Sequence, residues 1–376
     1  MNAPRVNLLG LDRAGLERYL AGFGEKPYRA RILLRWIHKR GVTRFDDMTD
    51  LSKALRARLA GEAEIRPPEV DERRDAADGV TKWSVAVGGG SAVETVLIPD
   101  RGRNTLCISS QAGCALDCAF CATGKQGFDG NLTPAEIAGQ VWLAARELER
   151  RDDGRGLTNV VFMGMGEPLL NFDACVTVAN LLMDDLAYGL SKRRVTISTA
   201  GVVPNILELA ERTECALAVS LHAADDALRD RLVPLNRRYP LAELMDACRA
   251  YLSRVGERRS VTIEYALMKG VNDSLADAAA LARLLRPLRC KINLIPFNPF
   301  PDAGFERPDP GAITAFQTYL LNAGYTATLR ATRGDEIAAA CGQLTGAVRD
   351  RTNRRARYIA RLRQQPAAAG QEGLVP

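Results

Sequence analysis

Three thiols set the chemistry this chain can do: Cys114, Cys118 and Cys121, spaced C-x3-C-x2-C in a loop rich in small residues. Three thiolates can bind three irons of a cubane four-iron cluster and leave the fourth iron open to a small chelating molecule. A structural zinc ion is the other candidate occupant, but it needs four protein ligands. No fourth Cys or His follows at zinc-finger spacing: Cys107 lies upstream, and the only histidines are His38 and His222.

Further groups suited to chemistry recur beyond the triplet. The run Gly164, Met165, Gly166, Glu167, Pro168 closes an apolar stretch, and its glycines allow a ligand to approach the backbone closely. Ser198, Ser220 and His222 sit at alternating positions near the ends of two later apolar stretches, so their side chains can share one face. Asn298 follows Ile295, Pro296 and Phe297 in the same way, and Glu264 has the same parity but no evident task. Glu94 stands among apolar neighbours, either outward and solvated or inward as a proton acceptor. Cys107 has the parity of Ser109 and Gln111, and Cys341 sits in a loop-like stretch beside Gly342. The other cysteines, Cys175, Cys215, Cys248 and Cys290, lie in apolar contexts where a free thiol packs as a small hydrophobe.

Elements that can hold these groups are legible from periodicity. Strands are predicted at 105–110, 159–164, 194–199, 215–221, 260–267, 291–296 and 326–331, with helices between them; the one at 134–149 has Thr133 as its cap and Pro in its first turn. This alternation implies an α/β architecture of parallel strands with crossover helices, curved into a full or partial barrel, whose functional groups gather at the C-terminal strand ends. Residues 81–87 and 92–99 read as two further strands joined by Gly88, Gly89 and Gly90. Pro67, Pro68 and the charged run 71–78 read as a boundary. Before them come three short amphipathic helices, the first following Asp12 and the third capped by Thr49 or Asp50. The expected division is a helical accessory domain at 1–66, a linker and small β extension at 67–99, a core at 100–345 and a basic tail at 346–376.

The 376 residues are 47% hydrophobic, enough for a substantial core, and nine cysteines without a secretion signal point to metal or catalysis in a reducing compartment. No window approaches the eighteen apolar residues of a membrane span, so no membrane association and a cytoplasmic location are expected. The net charge of +6 is unevenly spread. Residues 1–70 carry fourteen Lys and Arg against nine Asp and Glu, and 349–363 hold seven Arg against Asp350 alone. The predicted outer face of the N-terminal helices shows Lys26, Arg29, Arg31, Arg35, His38, Lys39 and Arg40, with Tyr28 and Trp36 nearby, a pattern suited to folded RNA read through its phosphates. The final Ala/Gly-rich segment reads as disordered.

The triplet, with Phe120 directly before its third Cys, resembles the radical S-adenosylmethionine (SAM) superfamily. Val93 to Val96, the stretch from Cys107 to Gln111, the glycine motif at 164–168, Ser220-Leu221-His222-Ala223, Asn298-Pro299-Phe300 and Cys341-Gly342-Gln343-Leu344 follow in order. Together they resemble the RlmN/Cfr family of RNA methyltransferases within that superfamily. The resemblance implies a partial (βα)6 barrel and one [4Fe-4S] cluster on Cys114, Cys118 and Cys121. It also implies SAM contacts at Gly166, Glu167, Ser198, Ser220, Leu221, His222 and Asn298. The implied reaction is methylation of C2 of adenosine 2503 in 23S rRNA and of adenosine 37 in tRNAs, with two SAM per methyl. A methyl group first loaded on Cys341 is made into a radical and added to the ring. Cys107 then resolves the adduct through a disulfide with Cys341, and Glu94 stands at the position of a proton acceptor. A monomer and a reductant such as flavodoxin or ferredoxin are expected, with oligomeric state and reductant left open by the sequence. Methylation of C8 of the same rRNA adenosine, as in Cfr, remains open, as does, in a different class, a zinc-stabilised RNA-binding protein.

Overall fold

The computed structural model describes residues 5–357 except 152, 153, 155, 257, 302 and 355. The terminal segment expected to be disordered lies outside the described residues. The chain opens with β1 (Val6–Asn7), α1 (Arg13–Ala21), α2 (Tyr28–Leu34) and α3 (Lys53–Glu62), and closes this unit with β2 (Ala63–Glu64), parallel to β1. The Asp12 side chain caps α1 by accepting from Gly15 N at 2.7 Å. Ser52, rather than Thr49 or Asp50, caps α3, its Oγ accepting from Leu55 N at 3.2 Å; the two earlier residues precede a further turn.

The predicted basic surface differs more. Beyond α2 the helix continues as a π turn over Arg35–Lys39, with Arg40 N bonding back to Arg35 O at 3.0 Å. The wider turn brings adjacent Ile37 and His38 into the core together. His38 therefore does not join the basic face. Its Nδ1 lies 3.3 Å from the Tyr188 hydroxyl, and burial holds its pKa down to about 3. Arg31, Arg35, Lys39 and Arg40 stay exposed.

A ten-stranded sheet follows. Its antiparallel part is β3 (Val70–Asp75), β4 (Thr81–Val87), β5 (Ser91–Asp100) and β6 (Arg103–Cys107). The charged run expected as a boundary is thus mostly strand: every residue of β3 is exposed, and its charges line the sheet edge. β7 (Gln111–Gly113), α4 (Ala122–Lys125) and β8 (Phe128–Asn131) frame the cysteine loop, with β7 and β8 paired antiparallel. Then come α5 (Pro134–Arg150), β9 (Asn159–Phe162), α6 (Phe172–Met183), β10 (Val195–Thr199), α7 (Val203–Arg212), β11 (Ala216–Ser220), α8 (Asp226–Leu232), α9 (Leu241–Val255), β12 (Val261–Leu267), α10 (Leu275–Leu285), β13 (Cys290–Pro296), α11 (Pro310–Asn322) and β14 (Ala327–Leu329).

Strand order across the sheet is β14-β13-β12-β11-β10-β9-β6-β5-β4-β3, parallel from β6 to β14. The two outermost strands do not pair, so the barrel is partial, and the residues of 70–100 extend one edge of the same sheet. The Thr133–Glu136 capping box starts α5 with Pro134 at its first position, as the sequence predicts. The larger core fills the space between sheet and helices; a smaller one, including Ala200, Val233, Ala266 and Phe297, packs at the mouth against Leu116 and Phe120.

The described residues at the start of the basic tail pack on the body. Residues 346–354 run back across β5 and the cysteine loop: Ala347 O accepts from Ala92 N at 2.7 Å, and Arg354 donates to Cys114 O and Ala115 O, both at 2.9 Å. Among the described residues no helix is long and apolar enough to cross a membrane.

Candidate active site

The C-terminal ends of the parallel strands surround a cavity of roughly 160 Å³. Cys114, Cys118 and Cys121 line one side of it. Their loop is fixed by its backbone: Cys114 N donates to Gly127 O at 2.8 Å, Ala119 N to Leu232 O at 2.9 Å, and Ala122 N to Gly342 O at 2.8 Å. Asp117 takes a left-handed φ of +56° at the tightest part. Burial pushes the Cys114 thiol up to about 12 and the Cys118 thiol well above its usual range. These thiols would stay protonated unless a metal centre took the proton's place.

Opposite stands the glycine motif. A Cβ on Gly164 would lie 2.7 Å from Ile108 O, and one on Gly166, at φ +99°, would lie 2.5 Å from Gln111 Cβ. Only glycine lets this turn press against the strand that leads into the cysteine loop. Glu167 lines the cavity, but its carboxylate is occupied by the protein: Oε1 accepts from Leu169 N at 3.0 Å and Oε2 from Ala200 N at 2.8 Å. Burial raises its pKa to about 7, against the pull of those two amides.

Ser198, Ser220, His222 and Glu264 all face the cavity, as their parity requires. His222 adopts φ +63°, rare for a side chain of its size. Its Nδ1 accepts from Ala266 N at 3.0 Å, which leaves the proton on Nε2, and burial first, then Arg229, hold its pKa down to about 3. A neutral imidazole thus offers an N–H donor to a ligand. The Leu221 side chain is in the core, and its backbone donates to Glu264 O at 3.0 Å and accepts from Arg229 Nε at 3.1 Å. Asn298 lines the cavity, but both ends of its amide hold protein, Nδ2 donating to Cys341 O at 3.2 Å and Oδ1 accepting from Thr332 Oγ1 at 3.0 Å.

Cys341 shares the cavity wall with the cysteine triplet. Although it is exposed at the mouth, the surrounding protein pushes its thiol up to about 11, with Arg330 pulling it down and Glu264 adding to the rise. Cys107 is buried behind the wall; burial and then the neighbouring Cys341 raise it to about 12. Both are free thiols. Glu94 does not reach the wall either. It is inward and buried, with Oε1 2.9 Å from Lys82 Nζ and Oε2 accepting from Thr345 N at 2.8 Å.

Comparison with known proteins turns this geometry into a family assignment. The family model described as the ribosomal RNA large subunit methyltransferase N-terminal domain matches residues 6–65, and that of the radical SAM superfamily matches residues 108–282. A dual-specificity RNA methyltransferase RlmN from Marinobacter nauticus is 57% identical over 359 residues, covering 95% of this chain and 97% of the relative. The chain belongs to the RlmN family. Its RlmN relatives from Marinomonas sp. and Pseudomonas fluorescens are 56% and 55% identical, covering 94% and 95% of this chain and 97% and 94% of the relatives. The crystal structure of a radical SAM methyltransferase from Sphaerobacter thermophilus superimposes with a TM-score of 0.83 at 46% identity, over 90% of this chain and 99% of that one.

The RlmN family uses a [4Fe-4S] cluster and SAM, and the residues present fit both. Three thiols face one cavity, while among the described residues no three His, Cys, Asp or Glu side chains converge on a single-ion site. Three thiolates suffice for a cluster, in which each takes a different iron, whereas a structural zinc ion needs four protein ligands. Several residues that shape the site carry no motif signal. Arg229, 1% exposed, donates to the carbonyls of Ala200, Ser220 and Leu221 and so ties the ends of β10 and β11 together. Lys82 is a buried lysine on β4. The alternation of β4 could have pointed to it as an inward charge.

Proposed function

We infer that this protein is a dual-specificity RNA methyltransferase that modifies C2 of adenosine 2503 in 23S rRNA and of adenosine 37 in tRNAs through a methyl group carried on Cys341. The observation that carries the reading is that the Cys341 thiol faces the same cavity as Cys114, Cys118 and Cys121. Carbon 2 of adenine lies between two ring nitrogens and is too electron-poor to attack a methyl sulfonium, so the methyl group needs radical activation. Cys114, Cys118 and Cys121 would hold the cluster, which when bound supplies the electron that makes SAM a radical source.

The chain's own residues do the rest. The backbone at Gly166 and the side chains of Ser198, Ser220 and His222 line the space for SAM, with His222 Nε2 as a donor, while Glu167 and Asn298 fix the walls. Cys341, as thiolate, accepts a methyl from SAM by displacement and holds it against the adenine. After the carbon–carbon bond has formed, Cys107 and Glu94 take the C2 proton in relay. The unpaired electron left on the ring by radical addition returns to the reductant as aromaticity is restored. Cys107, as thiolate, then attacks the Cys341 sulfur; the carbon–sulfur electron pair goes to the methylene carbon, which takes a proton to become the methyl group, and the resulting disulfide is reduced later. Glu94 can take part only when its carboxylate leaves the Thr345 amide.

The division into an RNA-binding unit at 1–66, an extension at 67–99, a catalytic core at 100–345 and a basic tail at 346–376 belongs to this reading. Exposed Arg31, Arg35, Lys39 and Arg40 would hold RNA phosphates. A cytoplasmic monomer reduced by flavodoxin or ferredoxin completes it.

The test is direct. Reconstituted enzyme, SAM, a reductant and unmodified rRNA or tRNA transcripts should yield 2-methyladenosine on nucleoside mass spectrometry. Finding 8-methyladenosine instead would assign the Cfr chemistry, and finding neither would refute the reading.

A further inference from the structure

Lys82 has no part in the chemistry described so far, yet it is only 4% exposed. A lysine is seldom buried so deeply unless its charge is paired. Its Nζ lies 2.9 Å from Glu94 Oε1 and donates to Ala338 O at 3.1 Å. The other oxygen of the same carboxylate accepts from Thr345 N at 2.8 Å. One buried ion pair therefore grips the loop at two points, three residues before Cys341 and four residues after it.

The loop between those points is not held by regular structure. Ala338 and Gly342 both have left-handed φ, +49° and +83°, and the first is unfavourable for a residue with a Cβ. Asn298 and Gln343 add bonds within the loop's neighbourhood, to Cys341 O at 3.2 Å and to Pro299 O at 2.8 Å, but they join it only to the mouth. Ala122 N also donates to Gly342 O and Thr123 Oγ1 to Leu344 O, both at 2.8 Å, which ties the loop to α4; between 338 and 345 its hydrogen bonds to the sheet beneath run through Lys82 and Glu94.

We propose that Lys82 is the positioning residue for the methyl carrier, acting through Glu94 and the backbone of residues 338–345 to hold Cys341 over the cavity. The inference rests on the reading of Cys341 as carrier. It also gives Glu94 a second role: while the carboxylate grips Thr345 the loop is closed, and its release frees the loop and an acceptor for a proton in one event. Lys82 is thus a determinant of coupling, the fraction of SAM cleavages that end in a methylated base.

The full-length, cluster-loaded enzyme provides two readouts. The first is the rate at which iodoacetamide alkylates Cys341, with Cys290 in the same molecule as the reference, both followed by peptide mass spectrometry. The second is the ratio of 5'-deoxyadenosine formed to RNA methylated. Lys82→Met should speed alkylation of Cys341 about fivefold relative to Cys290 and raise the ratio by a similar factor, as expected for local opening of one loop. Lys82→Arg should restore both. If Lys82→Met does not fold, as judged by circular dichroism, Lys82→Gln keeps a donor for Ala338 O without the charge and should show the same direction of change. Parent-level alkylation and parent-level coupling in a folded Lys82→Met or Lys82→Gln protein would overturn the proposal. Methylation of RNA by Cys341→Ala would instead overturn the carrier reading and leave the alkylation result standing, so the two failures are distinct.

Discussion

The ring of Phe120 stands edge-on to the imidazole of His222, with centroids 4.4 Å apart and planes at 63°. Phe120 immediately precedes Cys121, and His222 follows β11, so this contact ties the cysteine loop to a strand end that lines the cavity. The bond from Ala266 N to His222 Nδ1 keeps Nε2 as the donor. Replacing His222 with Ala removes the donor and the ring contact together. The expected result is about tenfold weaker SAM binding, the equivalent of one hydrogen bond of about 1.4 kcal/mol, with iron content unchanged. Equilibrium dialysis with labelled SAM measures it, and an unchanged dissociation constant would remove His222 from the binding site.

The two histidines also give the fold an acid limit. Both are buried with pKa values of about 3, lowered from 6.5 chiefly by burial. In the unfolded chain they bind protons below about pH 6.5, whereas in the folded chain they do not until about pH 3. Stability is therefore lost as pH falls through this window, by up to about 1.4 kcal/mol per pH unit for each histidine. Urea unfolding between about pH 7 and pH 4 should show this decline, and His38→Asn should flatten it by one proton's worth.

Much of this architecture is visible in the linear pattern because it obeys period rules. The parallel strands appear as apolar runs, and parity alone puts Ser198, Ser220, His222 and Glu264 on the cavity side. What the pattern hides is tertiary. His38 looks like a surface residue at helical period, and only the π turn carries it inward. Leu221, between Ser220 and His222, has its side chain in the core and its backbone bonded to Arg229 and Glu264. Glu94 reads as a solvated group or a proton acceptor and Asn298 as a ligand contact, but their polar atoms are taken by Lys82, Thr345, Thr332 and Cys341 O, partners 12 to 251 positions away in the chain. The arginines of 349–357 look like a free tail because nothing local shows that Arg354 reaches the carbonyls of Cys114 and Ala115.

That reach makes Arg354 a fastener of the cysteine loop. Arg354→Ala leaves two loop carbonyls without their charged donor, while the thiols themselves remain. Iron loading should still occur, but loss of the cluster to a chelator, followed by its visible absorbance, should be several-fold faster than in the parent. Cys118→Ala, with only two thiols left, should not load at all. Equal loss rates for Arg354→Ala and parent would show that the segment merely covers the loop.

RNA affinity should depend on salt through the N-terminal face. Every phosphate that the protein no longer neutralises lowers the slope of log affinity against log salt by about 0.7 to 0.9. Replacing exposed Arg31, Arg35 and Lys39 with Ala should flatten the slope by about two. Reductive SAM cleavage without RNA should be unaffected, since none of the three lines the cavity. Filter binding across a salt series reads the slope, and a parent slope in the triple variant would make this face a solvated surface.

The two outer cysteines separate the account from its alternatives most sharply, because equal chemical character is assigned unequal work. On the proposed reading Cys341, which faces the cavity, carries the methyl group, whereas Cys107, buried behind it, resolves the adduct. The decisive measurement is a denaturing gel of Cys107→Ala and Cys341→Ala after turnover with labelled RNA, with the attachment site found by mass spectrometry of nuclease-digested protein. The account predicts RNA bound covalently through Cys341 in Cys107→Ala, and neither adduct nor methylated RNA in Cys341→Ala. A stable adduct in Cys341→Ala, or normal turnover in Cys107→Ala, would contradict it.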